Sequence, residues 1–435
     1  MALWQNWART ESASPRYFDT PETVDELARV VARATERGEH VKAVGAGHSF
    51  TGAAVTDGTL ISLDRMSGLV EVEPTALGAR VTVQAGTRLH ELSELLWSHG
   101  LALPNLGDID VQSVAGAVST GTHGTGAAFR GLAAAVCGAT IVLADGHVAT
   151  CSPEQDPELF EAARLGLGAL GVLATVTLEC VPAFRLRAEE SPSSLRDTLD
   201  RIDELRSGVD HFEFYWFPHT DGVLVKRNTR LPGPTPVHPV GRVRTTLDDE
   251  LLSNGAFALF QQVGTRAPAT IPALNRISSR ALSPRTYVDR SYRVFASKRR
   301  VRFREMEYAV PAGSLPEVLR EIDGWLQRND IRIGFPVEVR FSAADDVWLS
   351  TAHGRDTAYV AVHQYHRRDH RPYFDGVEPI LRAAQGRPHW GKLHSLTAAE
   401  LPDLYPRFGD FLAVRDKVDP QRTFTNPYLD RILGT

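Results

Sequence analysis

Val44-Gly45-Ala46-Gly47-His48-Ser49 and Ser113-Val114-Ala115-Gly116-Ala117-Val118-Ser119-Thr120-Gly121-Thr122-His123-Gly124 are the two stretches on which the fold turns. The first leaves a short apolar strand, Val41–Val44, and opens no helix. Glycines let backbone N–H groups come close to an anion, and the hydroxyls of the second stretch add further donors. By spacing alone both segments read either as phosphate-binding loops or as glycine-rich turns. Gly166-x-Gly168-x-x-Gly171 spells the dinucleotide fingerprint, but its context is wrong. A helix around Leu159–Arg164 precedes it and a strand, Val172–Leu178, follows, whereas the fingerprint needs a strand first and a helix N-terminus facing the pyrophosphate. It reads as a tight helix-to-strand turn packed near a nucleotide.

Outward from these loops the pattern is mixed. Thr20-Pro21-Glu22 is expected to open a helix with Val24, Leu27, Val30, Val31 and Ala34 on its apolar face, stopped by Gly38. Strands are expected at Gly58–Leu63, Leu69–Val72, Ala79–Gln84 and Ala139–Ala144, and a second helix carries Leu89, Leu92, Leu95 and Leu96. Beyond Pro182 the texture changes. Leu195, Leu199, Ile202 and Leu205 mark one helix, and His211–Phe217 is an aromatic strand. Ser314-x-x-Glu317 has the form of a capping box. Phe335–Ser342 and Ala358–Tyr365 read as strands, residues 229–285 give no clear pattern, and the tail from Ala398 reads as helical, ending at Asn426-Pro427.

The chain has 435 residues, 43% apolar and 23% charged, which is ordinary globular usage and excludes a disordered or fibrous protein. The net charge of −5 gives no sign of nucleic-acid binding. Lys298–Arg304 is basic, but Glu305 and Glu307 follow at once and offset it as a solvated strand face. Cys137, Cys151 and Cys180 form no Cys-x-x-Cys pair, so neither a disulfide framework nor a metal site is read from them. The N-terminus lacks the basic-then-apolar order of a signal peptide. The longest apolar runs, Gly131–Ala144 and Leu165–Leu178, fall short of the ~20 residues of a transmembrane segment. The expectation is a soluble, cytoplasmic protein.

Taken together, the two loops resemble the vanillyl-alcohol-oxidase type of FAD-binding domain (PCMH-type). Glu213–Pro218, Glu305-Met306-Glu307-Tyr308, Glu338-x-Arg340, Arg387–Lys392 and Phe424-x-Asn426 narrow the resemblance to the sugar-1,4-lactone oxidases, with alditol oxidases close by. It covers almost the whole chain and implies an α+β, two-domain fold. An FAD-binding domain is expected at 1–184, a substrate cap domain at 185–397, and a C-terminal segment at 398–435 returning to the first domain. It further implies oxidation of a sugar lactone at its carbon-2 hydroxyl by hydride transfer to flavin N5, with oxygen or another acceptor taking the electrons. A polyol oxidase is the alternative.

The resemblance assigns FAD to Val44, Gly45, Ala46, Gly47, His48, Ser49, Gly107, Asp108, Ser113, Gly116, Ser119, Thr120, Thr122, His123, Gly124, Gly171 and Val172. His48 is expected to carry the flavin covalently on its 8α-methyl. Glu338, Arg340, His363 and Lys392 are expected at the substrate. By strand alternation Glu338 and Arg340 share a face opposite Val337, Val339 and Phe341, and on pattern alone they also fit a surface ion pair. His363 fits either a proton acceptor or a cap on an aromatic patch, and Lys392 either a site residue or a surface lysine. Asp108 replaces a serine common in relatives. Gly107 either leaves a path for oxygen or serves a turn with positive φ.

Overall fold

A computed structural model describes residues 3–238, 255, 257–297 and 301–435. Lys298, Arg299 and Arg300 of the basic run lie outside them. The first helix, Val24–Glu36, is capped by Thr23 rather than Thr20: its hydroxyl accepts from Glu26 N–H, and Pro21 belongs to the lead-in. Leu27, Val30, Val31 and Ala34 are buried, and Gly38 leaves the helix with φ +67°.

Four sheets form among the described residues. Trp4–Gln5 and Ser12–Ala13 make a small hairpin. Thr59–Ser62 runs parallel between Tyr17–Asp19 and Val41–Val44. A six-stranded antiparallel sheet is built around Val172–Pro182 and Gly78–Gln84. The fourth is an eight-stranded antiparallel sheet, ordered Arg285–Arg290, Phe184–Ser194, Gly222–Pro232, His211–Trp216, Val337–Ser342, Thr357–Tyr365, Phe303–Pro311, Arg387–Pro388. The chain crosses into it between Pro182 and Phe184, where the texture of the sequence changes.

The register of this large sheet positions the site. Tyr215 pairs with Glu338, Glu338 with Ala361, and Ala361 with Glu307. Arg340 pairs with Tyr359, and Glu305 with His363. Directly opposed residues point to the same face, so these polar side chains share one face although they come from four strands. The opposite face carries Phe212, Phe214, Val337, Val339, Phe341, Val360 and Met306. It joins the core with Val318, Leu319 and Ile322 of helix Leu315–Arg328 and Val377 and Leu381 of helix Arg371–Ala383. All six residues of Val337–Ser342 are therefore buried, and Glu338 and Arg340 form no surface ion pair.

Several local expectations change. Ser113–Gly124 is not all loop: Ser113 caps a short helix, Val114–Ser119, by accepting from Gly116 N–H. The helix expected through Leu195–Leu205 breaks at Arg201 into Leu195–Asp200 and Ile202–Ser207. Ser314 makes no capping bond because it closes a 3-10 turn, Ala312–Ser314, in helical rather than extended conformation. Within 229–285 the described residues form helices Phe257–Arg266 and Ile271–Arg280 and the strand Arg285–Arg290. The tail does not stop at Asn426-Pro427. Asn426 caps a further helix, Pro427–Leu433, and its amide donates to Gly52 O, Ala53 O and Val55 O, tying the tail to the first glycine loop's neighbourhood. Among the described residues no helix is long and apolar enough to cross a membrane.

Candidate functional site

Two cavities meet at His48. The first, about 140 Å³, is walled by the strand end Val44, the loop Gly45–Ser49, Ser113, Gly116, Ser119 and Thr120, and the turn Gly166–Val172. The second, about 310 Å³, holds Gly107, Asp108, Thr122, His123, Glu305, Glu307, Glu338, Arg340, His389 and Lys392. His48, Ser49, Gln112 and Thr120 line both, so the two form one trough.

The first cavity is a cradle of backbone and small side chains. A Cβ at Gly45 would overlap Ser113 Oγ, so the two glycine loops can lie side by side only because Gly45 lacks one. Gly47 has φ +66° and Gly171 φ +159°, where a Cβ would press on Val142 O. Ser113, Ser49 and Thr120 use their hydroxyls internally, toward Gly116 N–H, Thr51 Oγ1 and Gly116 O respectively. Backbone amides, the Ser119 hydroxyl and the O–H of Ser113, whose oxygen only accepts, are the means of meeting an anion there. Gly124 lines neither cavity: a Cβ on it would collide with Asn105 and Leu106 O, so it serves close packing. The Gly166–Gly171 turn does border the cradle, with the strand after it and the helix before it.

One buried cation borders this cradle. Lys42 Nζ donates to Gly168 O at 2.9 Å and to Phe424 O at 3.1 Å. Burial, helped by Arg415 and opposed by Asp419 and Asp430, lowers its ammonium to about 7.

The second cavity is dense in charge. Arg340 faces three carboxylates: Glu338, Glu213 at 3.1 Å and Asp108 at 3.3 Å. Burial opposes its charge, but Asp108, Glu338 and Glu213 outweigh that and raise its pKa well above the usual value. Lys226 reaches Glu213 at 3.3 Å, and burial of Glu213 is overcome by Lys226 and Arg340, which hold its carboxyl below the usual range. Tyr215 OH donates to Glu338 at 3.2 Å.

A second cluster lies beside it. Lys392 pairs with Glu305 and stands 3.9 Å from Glu307. Despite burial, Lys392 and His363 pull Glu305 down to about 2. Burial of Glu307 is likewise outweighed, by His123 and Lys392, and its carboxyl is lowered. The two acids in turn raise Lys392 against its own burial. Glu305 and Glu307 thus do not offset a solvated basic run; they face the cavity with Phe303, two residues apart on one strand face.

His363 does not line the cavity. It is buried behind Glu305, with Nε2 3.4 Å from Glu305 Oε1 and Nδ1 3.3 Å from Pro336 O, against the rings of Phe303 and Phe335. His123 stacks on Tyr359 with centroids 3.4 Å apart and bonds Glu307 at 2.9 Å. His123, Glu307 and His389 bring ligand-type atoms within 4.8 Å of one another, which no spacing in the sequence suggested. His389 Nδ1 accepts from Gly391 N–H, so its neutral ring carries the proton on Nε2. Burial lowers His389 to about 4 and keeps it neutral. Gly107 has no positive φ; a Cβ there would sit 3.1 Å from His123 O, so the turn explanation fails and an alanine would push on the His123 segment.

Trp7, Lys42, Gln112, Tyr215, Tyr359 and His389 escaped assignment in the sequence. Pairing across the sheet exposes Tyr215 and Tyr359; Trp7 had no signal beyond being aromatic.

A family described as D-arabinono-1,4-lactone oxidase matches residues 176–432, and one described as FAD binding domain matches residues 15–152. A protein named L-gulono-1,4-lactone dehydrogenase from Mycobacterium tuberculosis is 45% identical over 99% of this chain and 99% of its own length. L-gulonolactone oxidase from Bos taurus is 34% identical over 99% of this chain and 98% of its own. The crystal structure of cholesterol oxidase from B. sterolicum superposes with a TM-score of 0.82 at 18% identity, over 99% of this chain and 96% of that one. That likeness shows the fold, the two-unit FAD-binding architecture expected from the glycine loops.

Proposed function

This chain belongs to the D-arabinono-1,4-lactone oxidase family, and on that footing we propose that it is an FAD-dependent oxidoreductase acting on the carbon-2 hydroxyl of a sugar-1,4-lactone. The observation that carries the reading is the trough itself: a glycine-walled cradle opening, at His48, into a buried cavity of paired acids and bases. The cradle fits a dinucleotide in its glycine and small-residue lining: Gly45 lets the two glycine loops lie side by side, and Gly171 lets the turn after Gly166 pack on Val142. When bound, FAD supplies the acceptor for a hydride and passes the electron pair on to oxygen or another acceptor.

The chain's own residues do the rest. Residues 1–184 hold the nucleotide, 185–397 form the cap whose sheet carries the polar face, and 398–435 brace the first unit. A polyhydroxylated substrate meets Asp108, Glu305, Glu307 and Glu338 as hydrogen-bond acceptors and Arg340 and Lys392 as donors. Arg340 organises three acids and presents its remaining edge to substrate oxygen, so its stabilisation of developing negative charge is that of a partly neutralised cation. Lys392 lies closest to Glu305 and favours loss of the hydroxyl proton electrostatically. Glu305 is the group through which that proton can reach His363, which does not itself touch the cavity. His48, at the junction, is the point of covalent attachment.

Anaerobic mixing of the yellow protein with L-gulono- or D-arabinono-1,4-lactone is expected to bleach the flavin, and polyols are expected to bleach it far more slowly. Preferential bleaching by polyols would favour the alditol oxidase reading, and bleaching by neither would reject both.

A further inference from the structure

The hairpin at the N-terminus folds over the loop that carries His48. Trp7 N–H donates to Gly47 O at 2.7 Å, Asn6 Nδ2 to Ser49 O at 2.8 Å, and Thr10 Oγ1 to Phe50 O at 2.9 Å. Asn6 is buried, and its Oδ1 accepts from Thr10 N–H and Glu11 N–H, closing the turn between the two short strands. At Gly47 a Cβ would come 3.3 Å from the Trp4 ring, so hairpin and loop are in close contact.

Against this frame the Trp7 indole stacks on the His48 imidazole, with centroids 5.2 Å apart and planes 20° from parallel. The indole is itself wedged, meeting Phe50 and Phe303 at steep angles, 86° and 70°. Among the described residues no hydrogen bond reaches a ring nitrogen of His48, so the stack is what sets the plane of the imidazole. Burial, with Lys392 and Arg88 adding to it, lowers His48 to about 4, which leaves the ring a neutral nucleophile at pH 7.

We infer that Trp7 is a positioning residue for the bond between His48 and FAD, holding the imidazole in one plane at the junction of the two cavities. The inference rests on the covalent reading given above. Attachment joins one imidazole nitrogen to the carbon of the 8α-methyl group. A C–H proton and the imidazole N–H proton leave, and the electron pair of the broken C–H bond enters the ring system. Dioxygen then removes that pair and, with the two protons, becomes hydrogen peroxide. A nucleophile free to rotate out of plane loses the geometry on which such a step depends. The hairpin is therefore part of the active site.

The test compares Trp7→Phe with Trp7→Leu in purified holoenzyme. Flavin occupancy is read by absorbance, melting temperature by calorimetry, and attachment by fluorescence remaining with the acid-precipitated chain. Wild type and Trp7→Phe are expected to keep their flavin in the pellet. Trp7→Leu, at equal occupancy and melting temperature, is expected to release most of it, and full attachment in Trp7→Leu overturns the inference. Should Trp7→Leu not fold, apoprotein of Trp7→Phe made on limiting riboflavin carries the test. Attachment of added FAD is expected to slow several-fold, and an unchanged rate overturns the inference. Release of flavin by the wild type itself would show instead that the covalent reading fails, and the inference with it.

Discussion

The two halves of the trough recognise their contents by opposite means. The nucleotide cradle is walled by glycines, small residues and backbone, with Lys42 and His48 its only ionisable lining residues among those described. The cavity next to it gathers Asp108, Glu305, Glu307, Glu338, Arg340 and Lys392 within one polar face. Backbone can grip a pyrophosphate where a Cβ is missing, so each loop of the cradle is a local pattern, although Gly45, Ser113 and the Gly166–Gly171 turn meet only in the fold. A charged cavity needs each ion paired, because an isolated buried charge is costly, and apart from Glu338 with Arg340 these pairs join residues that the sheet and the loops beside it bring together. Local loops thus make the first half, and global register makes the second.

The largest effect expected from breaking this contrast is Arg340→Ala. It takes the guanidinium away from Asp108, Glu213 and Glu338, and losing one partner of a buried ionic cluster costs ~3–5 kcal/mol. Stopped-flow flavin reduction is expected to slow by roughly a hundredfold or more, with Arg340→Lys recovering part of it. Near-wild-type reduction in the alanine variant would detach the cluster from the chemistry. Gly45→Ala acts on the other half. Its Cβ overlaps Ser113 Oγ, so flavin content per chain should fall several-fold, while the paired acids of the second cavity are untouched. Full occupancy would mean that the loops part without cost.

Lys392→Met sharpens the comparison through pH. Glu305 is held near 2, so the stability it contributes is present above the unfolded value near 4.5 and lost only as pH falls toward 2. Without the ammonium the carboxyls of Glu305 and Glu307 rise. Acid unfolding should then begin at higher pH than in wild type, and flavin reduction should slow by about tenfold at neutral pH. An unshifted acid limb would show that Lys392 does not hold these acids.

The smallest effect concerns Lys42. Its folded value of about 7 lies below the unfolded 10.5, so the folded chain binds fewer protons between those values, and stability should rise with pH across that window. The slope is at most about 1.4 kcal/mol per pH unit. Lys42→Met should flatten the melting temperature against pH between 7 and 9, and a variant with the wild-type slope would refute the assignment.

How much of this was legible follows the same division. The glycine loops, the strand Val337–Ser342 with its alternating Glu338 and Arg340, and the helix Val24–Glu36 are local patterns. Ser314 fails as a cap because a capping hydroxyl needs an extended backbone, which composition alone does not reveal, and the helix read from Thr20 starts only after Thr23, a second hydroxyl that the residue pattern does not rank against the first. Glu305 and Glu307 read as solvent-facing since they adjoin a basic run, and only pairing to Thr357–Tyr365 turns them inward.

From its residues alone the chain carries two glycine loops, a mixed α and β architecture and an acid-and-arginine strand, because glycine spacing and two-residue alternation act over short stretches, while the FAD reading of those loops comes from their resemblance to the vanillyl-alcohol-oxidase type. Tertiary structure decides that Arg340 is shared among Asp108, Glu213 and Glu338, that His363 stands behind Glu305, and that Trp7 lies against His48. Apart from Arg340 with Glu338, those contacts join residues far apart in the chain. Strand register and hairpin docking bring them together, and the need to pair every buried charge holds them there.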